Sequence, residues 1–434
     1  MSNWFKRIIV CTSVFALVGA GWPAGIAAGV TGEGSVHYGV KKQLAPGVVH
    51  YSFSTHNWSG QPVTGHVTEI KPGEELLEIR PALGHDALGG RETVSGLAAR
   101  HGAVAAVNGG FFDGASGNPI GGLVVDGQVQ YHQDVLRTSV GWTGGGNFKF
   151  GYFMPGADNV PMQSGFGSGL EGIEHLVTGG PLLVQDGIPV FQAVSEGFRG
   201  GVLTPNARTA VGVKADGNVL LVVVEKLSGT GDKGGSGSGP ENANRDGSAG
   251  TNASAGLTLD ELAWLMVRLG SVRAAGLDGG GSSVMWAGGE LVSKPSDSSE
   301  RKVANALVVL YQVPAYLDGR RVYFDAPPYL EQGRTYVPLR GLFELLGAAV
   351  TWDQETQTVD AARGERSVSL TIGQKEARVD GAAVLLDAVP RMVNGRTMVP
   401  LRFIGESLGD RVEWQSNPKA IRIHSTAGKN ANHF

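Results

Sequence analysis

Cysteine is almost missing from this chain of 434 residues: Cys11 stands alone, inside an N-terminal apolar run. A disulfide framework, a cysteine-ligated metal and a cysteine nucleophile are thereby excluded from the mature protein. An excess of charge of one sign is missing too. Thirty-six Lys and Arg face 40 Asp and Glu, a net charge of −4, which is too near neutrality for the positive field that phosphate backbones require. Nucleic acid is not an expected partner. The sequence also lacks a G-x-G-x-x-G turn before a helix, a Walker loop, a G-x-S-x-G elbow and an H-E-x-x-H helix, so neither a cofactor nor a metal is expected. The histidines are scattered; His101, His132 and His175 are the ones placed where a site could use them, and each reads more simply as structural.

Long hydrophobic runs are equally scarce. Lys6 and Arg7 precede one from Ile8 to Ala20, shorter than the ~20 residues that cross a bilayer. Small residues follow at Ala24, Gly25, Ala27 and Ala28. Residues 1–28 therefore read as an export signal cleaved near Ala27 to Gly29, leaving a secreted or cell-wall-associated protein with no membrane span.

Glycine is abundant, 68 residues, more than double the ordinary share of ~7%, which implies many turns and close backbone approaches. An internal repeat accounts for the C-terminal quarter. RTYVPLRGLFELLGAAVTWD, from Arg334 to Asp353, recurs as RTMVPLRFIGESLGDRVEWQ, from Arg396 to Gln415, at an offset of 62 residues. In each copy a strand meets a proline that opens a helix, glycine stops the helix, and a strand with a tryptophan follows. Residues 315–425 thus form a small α+β module, with 426–434 as a disordered tail. The module resembles the copper-amine-oxidase N-terminal-like "stalk" modules of exported bacterial proteins. It holds one histidine, His424, so copper is not expected, and a spacing or wall-polymer-binding role is.

The larger domain spans residues 31–313. Its expected class is α+β, a mixed sheet with short helices. One helix runs from about Val94 to His101 behind Thr93. The other runs from about Leu259 to Leu269, with Thr258 and Glu261 as a capping box and Leu259, Leu262, Ala263 and Met266 on one face. Residues 228–256, rich in Gly, Ser and Asn, cannot bury enough apolar area to offset ordering entropy and read as a mobile insertion beside the site or as a tolerated loop.

Three polar motifs bordered by glycine carry the chemistry. NGGFFD puts Asn108 at a strand end, where Gly109 and Gly110 let a ligand approach, Phe111 and Phe112 pack inward, and Asp113 supplies a carboxylate. NARTAVGV sets Arg208 and Thr209 at the head of a strand, with the guanidinium able to grip a phosphate bidentately. LDGGGSS ends a strand in Asp278, offers the amides of Gly279, Gly280 and Gly281 as an anion nest, and adds the Ser282 hydroxyl. An amide, a cation, a carboxylate and a nest suit the binding of an anion and the movement of a proton.

The order NGGFFD, VTGGPLLVQDG, NARTAVGV, GLTLDELAWLMVRLGSVRAAGLDGGGSS and VANALVV, over about 200 residues, resembles the phosphodiester glycosidase family. The resemblance implies hydrolysis of a sugar-1-phosphodiester, N-acetylglucosamine-like, on cell-envelope or extracellular glycan. It adds Thr178, Gly179, Gly180 and Asn305 to the substrate-binding positions. One departure is Glu225-Lys226-Leu227, where many members carry an acidic-Gly-Arg turn.

Breaking an anomeric C–O bond develops positive charge on the sugar carbon and negative charge on the leaving phosphate. Asp278 is therefore expected as acid/base or nucleophile, Arg208 as the phosphate clamp, and Asp113 as the reserve carboxylate. Asn108 and the Gly279–Gly281 amides would orient oxygens. Two other readings stand beside this one: a non-catalytic envelope protein binding anionic glycan, and a metal-assisted phosphodiesterase using Asp113 and Asp278.

Overall fold

Strand Val48–His56 switches between buried and exposed residues along its length, the signature of a strand with one face against a core. Such strands dominate the computed structural model. It describes residues 35–425 apart from 75, 156–160, 165–171, 228–252, 325, 332, 394 and 417–418. The expected signal segment, nearly all of the 228–256 insertion and the tail lie outside the described residues.

Among the described residues three large sheets, with a two-stranded pair of Lys226–Leu227 and Ser254–Ala255 beside them, make up the larger domain. The first, of nine strands, has at its centre Val48–His56, Pro62–Ile70, Val219–Val224, Arg208–Lys214, Ser271–Gly276 and Leu182–Gln185, in that spatial order. The second, of five, runs Glu290–Leu291, Met285–Ala287, Ala105–Asn108, Asn305–Tyr311 and Leu77–Leu83. The third, of six, includes Thr138–Trp142, His175–Thr178 and Leu123–Val125. All three contribute to one core, in which Val107 and Leu307, Leu123 and Val140, and Val211 and Ala275 meet. Each such side chain gains roughly 1.5–3 kcal/mol from full burial.

Every described strand pair of this domain is antiparallel, so its sheets are not mixed as the sequence suggested. Short turns join some neighbours, such as Val48–His56 with Pro62–Ile70 and Arg208–Lys214 with Val219–Val224, while others, such as Ala105–Asn108 with Asn305–Tyr311, come from distant parts of the chain. Two helices cover the sheets. In α1, Val94–His101, Thr93 accepts from the Gly96 amide and Gly102 closes the helix in the left-handed region. In α2, Leu259–Arg268, Thr258 and Glu261 form the capping box, and Leu262, Ala263 and Met266 pack against Leu183, Val222 and Ala274 of the nine-stranded sheet.

In the C-terminal module the two repeat copies face each other. Strands Arg334–Pro338 and Arg396–Pro400 pair antiparallel, and helices α3, Leu339–Leu345, and α4, Leu401–Ser407, follow them. Their apolar residues, among them Val337, Leu342, Phe343, Val399 and Ile404, share one core. A parallel pair, Ala315–Leu317 with Lys419–His424, closes the module. Arg321 of the module reaches Glu78 of the larger domain at 2.9 Å, and Tyr323 lies between the Arg80 and Arg321 guanidiniums, 4.6 and 5.1 Å from their centres.

Candidate functional site

Five sequence blocks end at strand termini, and their backbones bond to one another. Gly109 donates to the Asn305 carbonyl at 2.9 Å and Asp278 to that of Gly109 at 3.1 Å. Leu277 donates to Thr209 at 2.8 Å, Gly280 to Ala207 at 2.8 Å and Gly180 to Gly276 at 2.9 Å. A Cβ on Gly110 would collide with the Thr178 carbonyl, and one on Gly281 with Asp297 and Arg301; glycine is what permits these approaches. Gly179 packs on the Gly276 carbonyl.

Asp278 sits where these termini meet, partly accessible. One carboxylate oxygen accepts from the Gly279 amide at 2.9 Å. Burial pushes its pKa up from 3.8 to about 6, opposed by Ser282, the Gly279 amide, and the cations Arg301 and Arg137. The Ser282 hydroxyl is buried without a hydrogen bond of standard geometry, close enough to the carboxylate to favour its charged form. A carboxyl that titrates about two units above its ordinary value, at a strand end, can exchange a proton or attack near neutral pH.

Several expected partners are spent elsewhere. Arg208, nearly buried, donates from Nε to the Leu257 carbonyl at 2.8 Å, and from Nη2 to those of Val202 and Thr204 at 2.8 and 2.6 Å. Its bidentate edge is thereby occupied, and Nη1 lies beside Gly279. Burial lowers its pKa to about 10, with Glu261 opposing the shift. Asn108 is likewise engaged at both ends: Nδ2 donates to the Asp278 carbonyl at 2.7 Å, and Oδ1 accepts from Thr209 Oγ1 at 2.6 Å. It fastens the Asp278 strand end and has no amide group left over for a ligand oxygen. The glycine run is a 3₁₀ turn, Gly280–Ser282. Its first two amides are committed, Gly279 to Asp278 itself and Gly280 to Ala207, so an open three-amide nest does not form. Asp113 accepts from the Ser116 amide and hydroxyl and the Ala115 amide. These bonds hold its own exposed turn and lower its pKa. Thr178 Oγ1 accepts from Gly122 and contacts Ser139. Asn305 accepts from Gly110 at 2.9 Å, leaving its buried Nδ2 without a partner.

Three charged groups escaped the sequence reading. Arg301 pairs with Asp297 beside Gly281. Glu196 is buried and accepts from the Thr138 amide and hydroxyl and the Leu182 amide. The Arg137 guanidinium packs against the touching rings of Phe111 and Phe198, 4.9 and 4.6 Å from their centres. A signal for Arg137 existed: RTSVG from Arg137 echoes RTAVG from Arg208, the first arginine immediately preceding a strand and the second opening one.

Among the described residues, one group of acids and histidine has metal-ligand proximity, namely Glu78, Asp126 and His175. It lines a cleft of about 1050 Å³ between the domains. Arg80 and Arg321 already hold its carboxylates at 2.9–3.0 Å, and two guanidiniums there oppose a cation. It does not include Asp278 or Asp113.

Two stretches of the chain match known families. Residues 101–241 and 243–310 match the family described as Phosphodiester glycosidase, and residues 316–423 match Copper amine oxidase N-terminal domain. The N-acetylglucosamine-1-phosphodiester alpha-N-acetylglucosaminidase of Mus musculus is 28% identical over 262 residues, 58% of this chain and 46% of that protein; the chain thus spans about half the length of that relative. A protease inhibitor of Brevibacillus choshinensis is 34% identical over 77 residues, 18% of this chain and 24% of that protein. A crystal structure of a hypothetical protein from Synechocystis shares the fold, with a TM-score of 0.50 and 18% identity over 63% of each chain. The zebrafish N-acetylglucosamine-1-phosphodiester alpha-N-acetylglucosaminidase catalytic domain aligns at a TM-score of 0.47 and 22% identity, over 64% of this chain and 88% of that one.

Proposed function

We propose that the larger domain, which matches the phosphodiester glycosidase family over residues 101–241 and 243–310, hydrolyses the bond between the anomeric carbon and the phosphate of a sugar-1-phosphodiester. The sugar is N-acetylglucosamine-like, and the setting is cell-envelope or extracellular glycan reached after export. The observation that carries the reading is Asp278: a carboxyl raised to about 6 at the meeting point of five strand ends, with cations facing it.

In this scheme Asp278 works in its ionised form, as nucleophile or as base for water. The leaving phosphate has a low pKa and departs without a proton, so one working carboxylate suffices. That matters because Glu196 has both oxygens bonded by Thr138 and Leu182. Arg208 acts from behind, tying residues 202–204 and 257 to the strand that adjoins Asp278. The C-terminal module serves as a spacing or wall-polymer-binding element; Arg340 and Arg402, matched in its two copies, are both exposed.

The test is a panel of sugar-1-phosphodiesters offered to the mature protein with and without EDTA, across pH 4–8. Release of free sugar and phosphomonoester, unaffected by EDTA and rising through about pH 6, supports this reading. Loss of activity with EDTA favours the metal-assisted alternative, and no turnover of any diester favours a glycan-binding protein.

A further inference from the structure

Arg137 is a cation without an assigned task. Its guanidinium rests against two touching rings, Phe111, which follows the glycines of the NGGFF turn, and Phe198, 4.9 and 4.6 Å from their centres, the rings themselves lying 5.5 Å apart. Residue 137 is half-buried, and its Nη1 is buried with no hydrogen-bond partner. Among the described residues no carboxylate, carbonyl or hydroxyl bonds this guanidinium, although both Asp278 and Glu196 exert their field on it. Contact with the two rings holds the guanidinium in place through cation–π attraction and leaves Nη1 unsatisfied. A half-buried guanidinium so placed is costly unless an anion completes it. One more buried donor borders the same strand ends without a partner, Asn305 Nδ2. Asn305 accepts from the amide of Gly110, the residue before Phe111.

We propose that Arg137, and not Arg208, is the residue that binds the phosphate of the substrate, with the paired rings of Phe111 and Phe198 as the aromatic surface that holds it. This rests on the hydrolytic reading above. As the anomeric C–O bond breaks, its electron pair passes to the phosphate oxygen, and the Arg137 fork meets the charge that develops there. Water supplies the oxygen that ends on the anomeric carbon, and its proton goes to the Asp278 carboxylate. A planar fork matches two phosphate oxygens, and a lysine ammonium does not.

The test compares wild type with Arg137→Met, Arg137→Lys and Phe198→Leu. The first readout is calorimetric binding of inorganic phosphate. The second is turnover of an N-acetylglucosamine-1-phosphodiester, with and without millimolar guanidinium chloride. Arg137→Met is expected to weaken phosphate binding and to lower kcat/KM, each by about 100-fold. Free guanidinium should restore part of the lost rate by resting on the aromatic surface in Arg137→Met, and less of it once Phe198→Leu is added. Arg137→Lys should fall between. Unchanged phosphate binding and kcat/KM in Arg137→Met, or a loss that guanidinium does not relieve, overturns the proposal and leaves the hydrolytic reading standing. A wild type that binds phosphate through Arg137 yet turns over no diester upholds the anion site and removes the hydrolase.

Discussion

Replacing Asp278 by Asn should make the protein more stable at alkaline pH while abolishing its proposed chemistry. The carboxyl titrates at about 6 instead of 3.8 because burial disfavours its charge more than Gly279, Ser282, Arg301 and Arg137 favour it. The sign follows from linkage. Below pH 3.8 the group is neutral in folded and unfolded chains and contributes nothing. Between 3.8 and 6 the unfolded chain releases its proton while the folded chain keeps it, so stability falls as pH rises. Above 6 the full cost is present, about two units at ~1.4 kcal/mol each, or roughly 3 kcal/mol. Asn keeps the shape and the bond from the Gly279 amide but never ionises. At pH 8 the variant should therefore unfold at a temperature about 6–12 °C above wild type, at 2–4 °C per kcal/mol for a domain of this size. At pH 4 the two should coincide. Thermal unfolding followed by circular dichroism at both pH values tests this. A variant no more stable than wild type at pH 8, or one offset equally at both pH values, refutes the desolvated carboxylate.

Arg208→Met should destabilise the fold by about 3 kcal/mol or more, because three buried carbonyls, of Leu257, Val202 and Thr204, lose a charged donor; a urea midpoint equal to wild type would show these bonds to be idle. Gly110→Ala should cost at least about 2 kcal/mol, since a methyl group collides with a backbone oxygen that cannot rotate away, and an unshifted melting temperature would contradict the packing at Thr178. His50 and His175 are held neutral, each lowered from 6.5 to about 4, His50 by burial and His66, His175 by burial and Arg80. Both resist protonation in the folded state, so stability should fall as pH drops from 6.5 towards 4, by up to about 3 kcal/mol per histidine. His175→Asn, which keeps an acceptor for the Asp126 amide, should lose less between pH 7 and 4.5 than wild type, and an equal loss would exclude His175 as a cause.

Much of this was legible because the informative residues are contiguous in sequence. Asn108-Gly109-Gly110 and Asp278 with its three glycines mark strand ends by local chemistry alone, and Thr258 with Glu261 announces α2 in the same way. The 62-residue repeat foretold two copies of a strand–helix unit, which pair through Val337 and Val399. Side-chain direction was not legible. Arg208 turns towards Leu257, 49 residues away, and only tertiary packing decides between that carbonyl and a ligand. The Gly279 amide turns back to its neighbour's carboxylate, which no composition reveals. Arg137 was overlooked because its aromatic surface is assembled from Phe111 and Phe198, rings that lie 26 and 61 residues from it in the chain.

The account stands or falls on Asp278 acting on a sugar–phosphate bond. Phosphorus NMR of an N-acetylglucosamine-1-phosphodiester incubated with wild type at pH 7 should show the diester resonance replaced by a phosphomonoester as free sugar appears, and no change with Asp278→Asn. A diester left intact by wild type, or consumed equally fast by the folded Asp278→Asn variant, would contradict it.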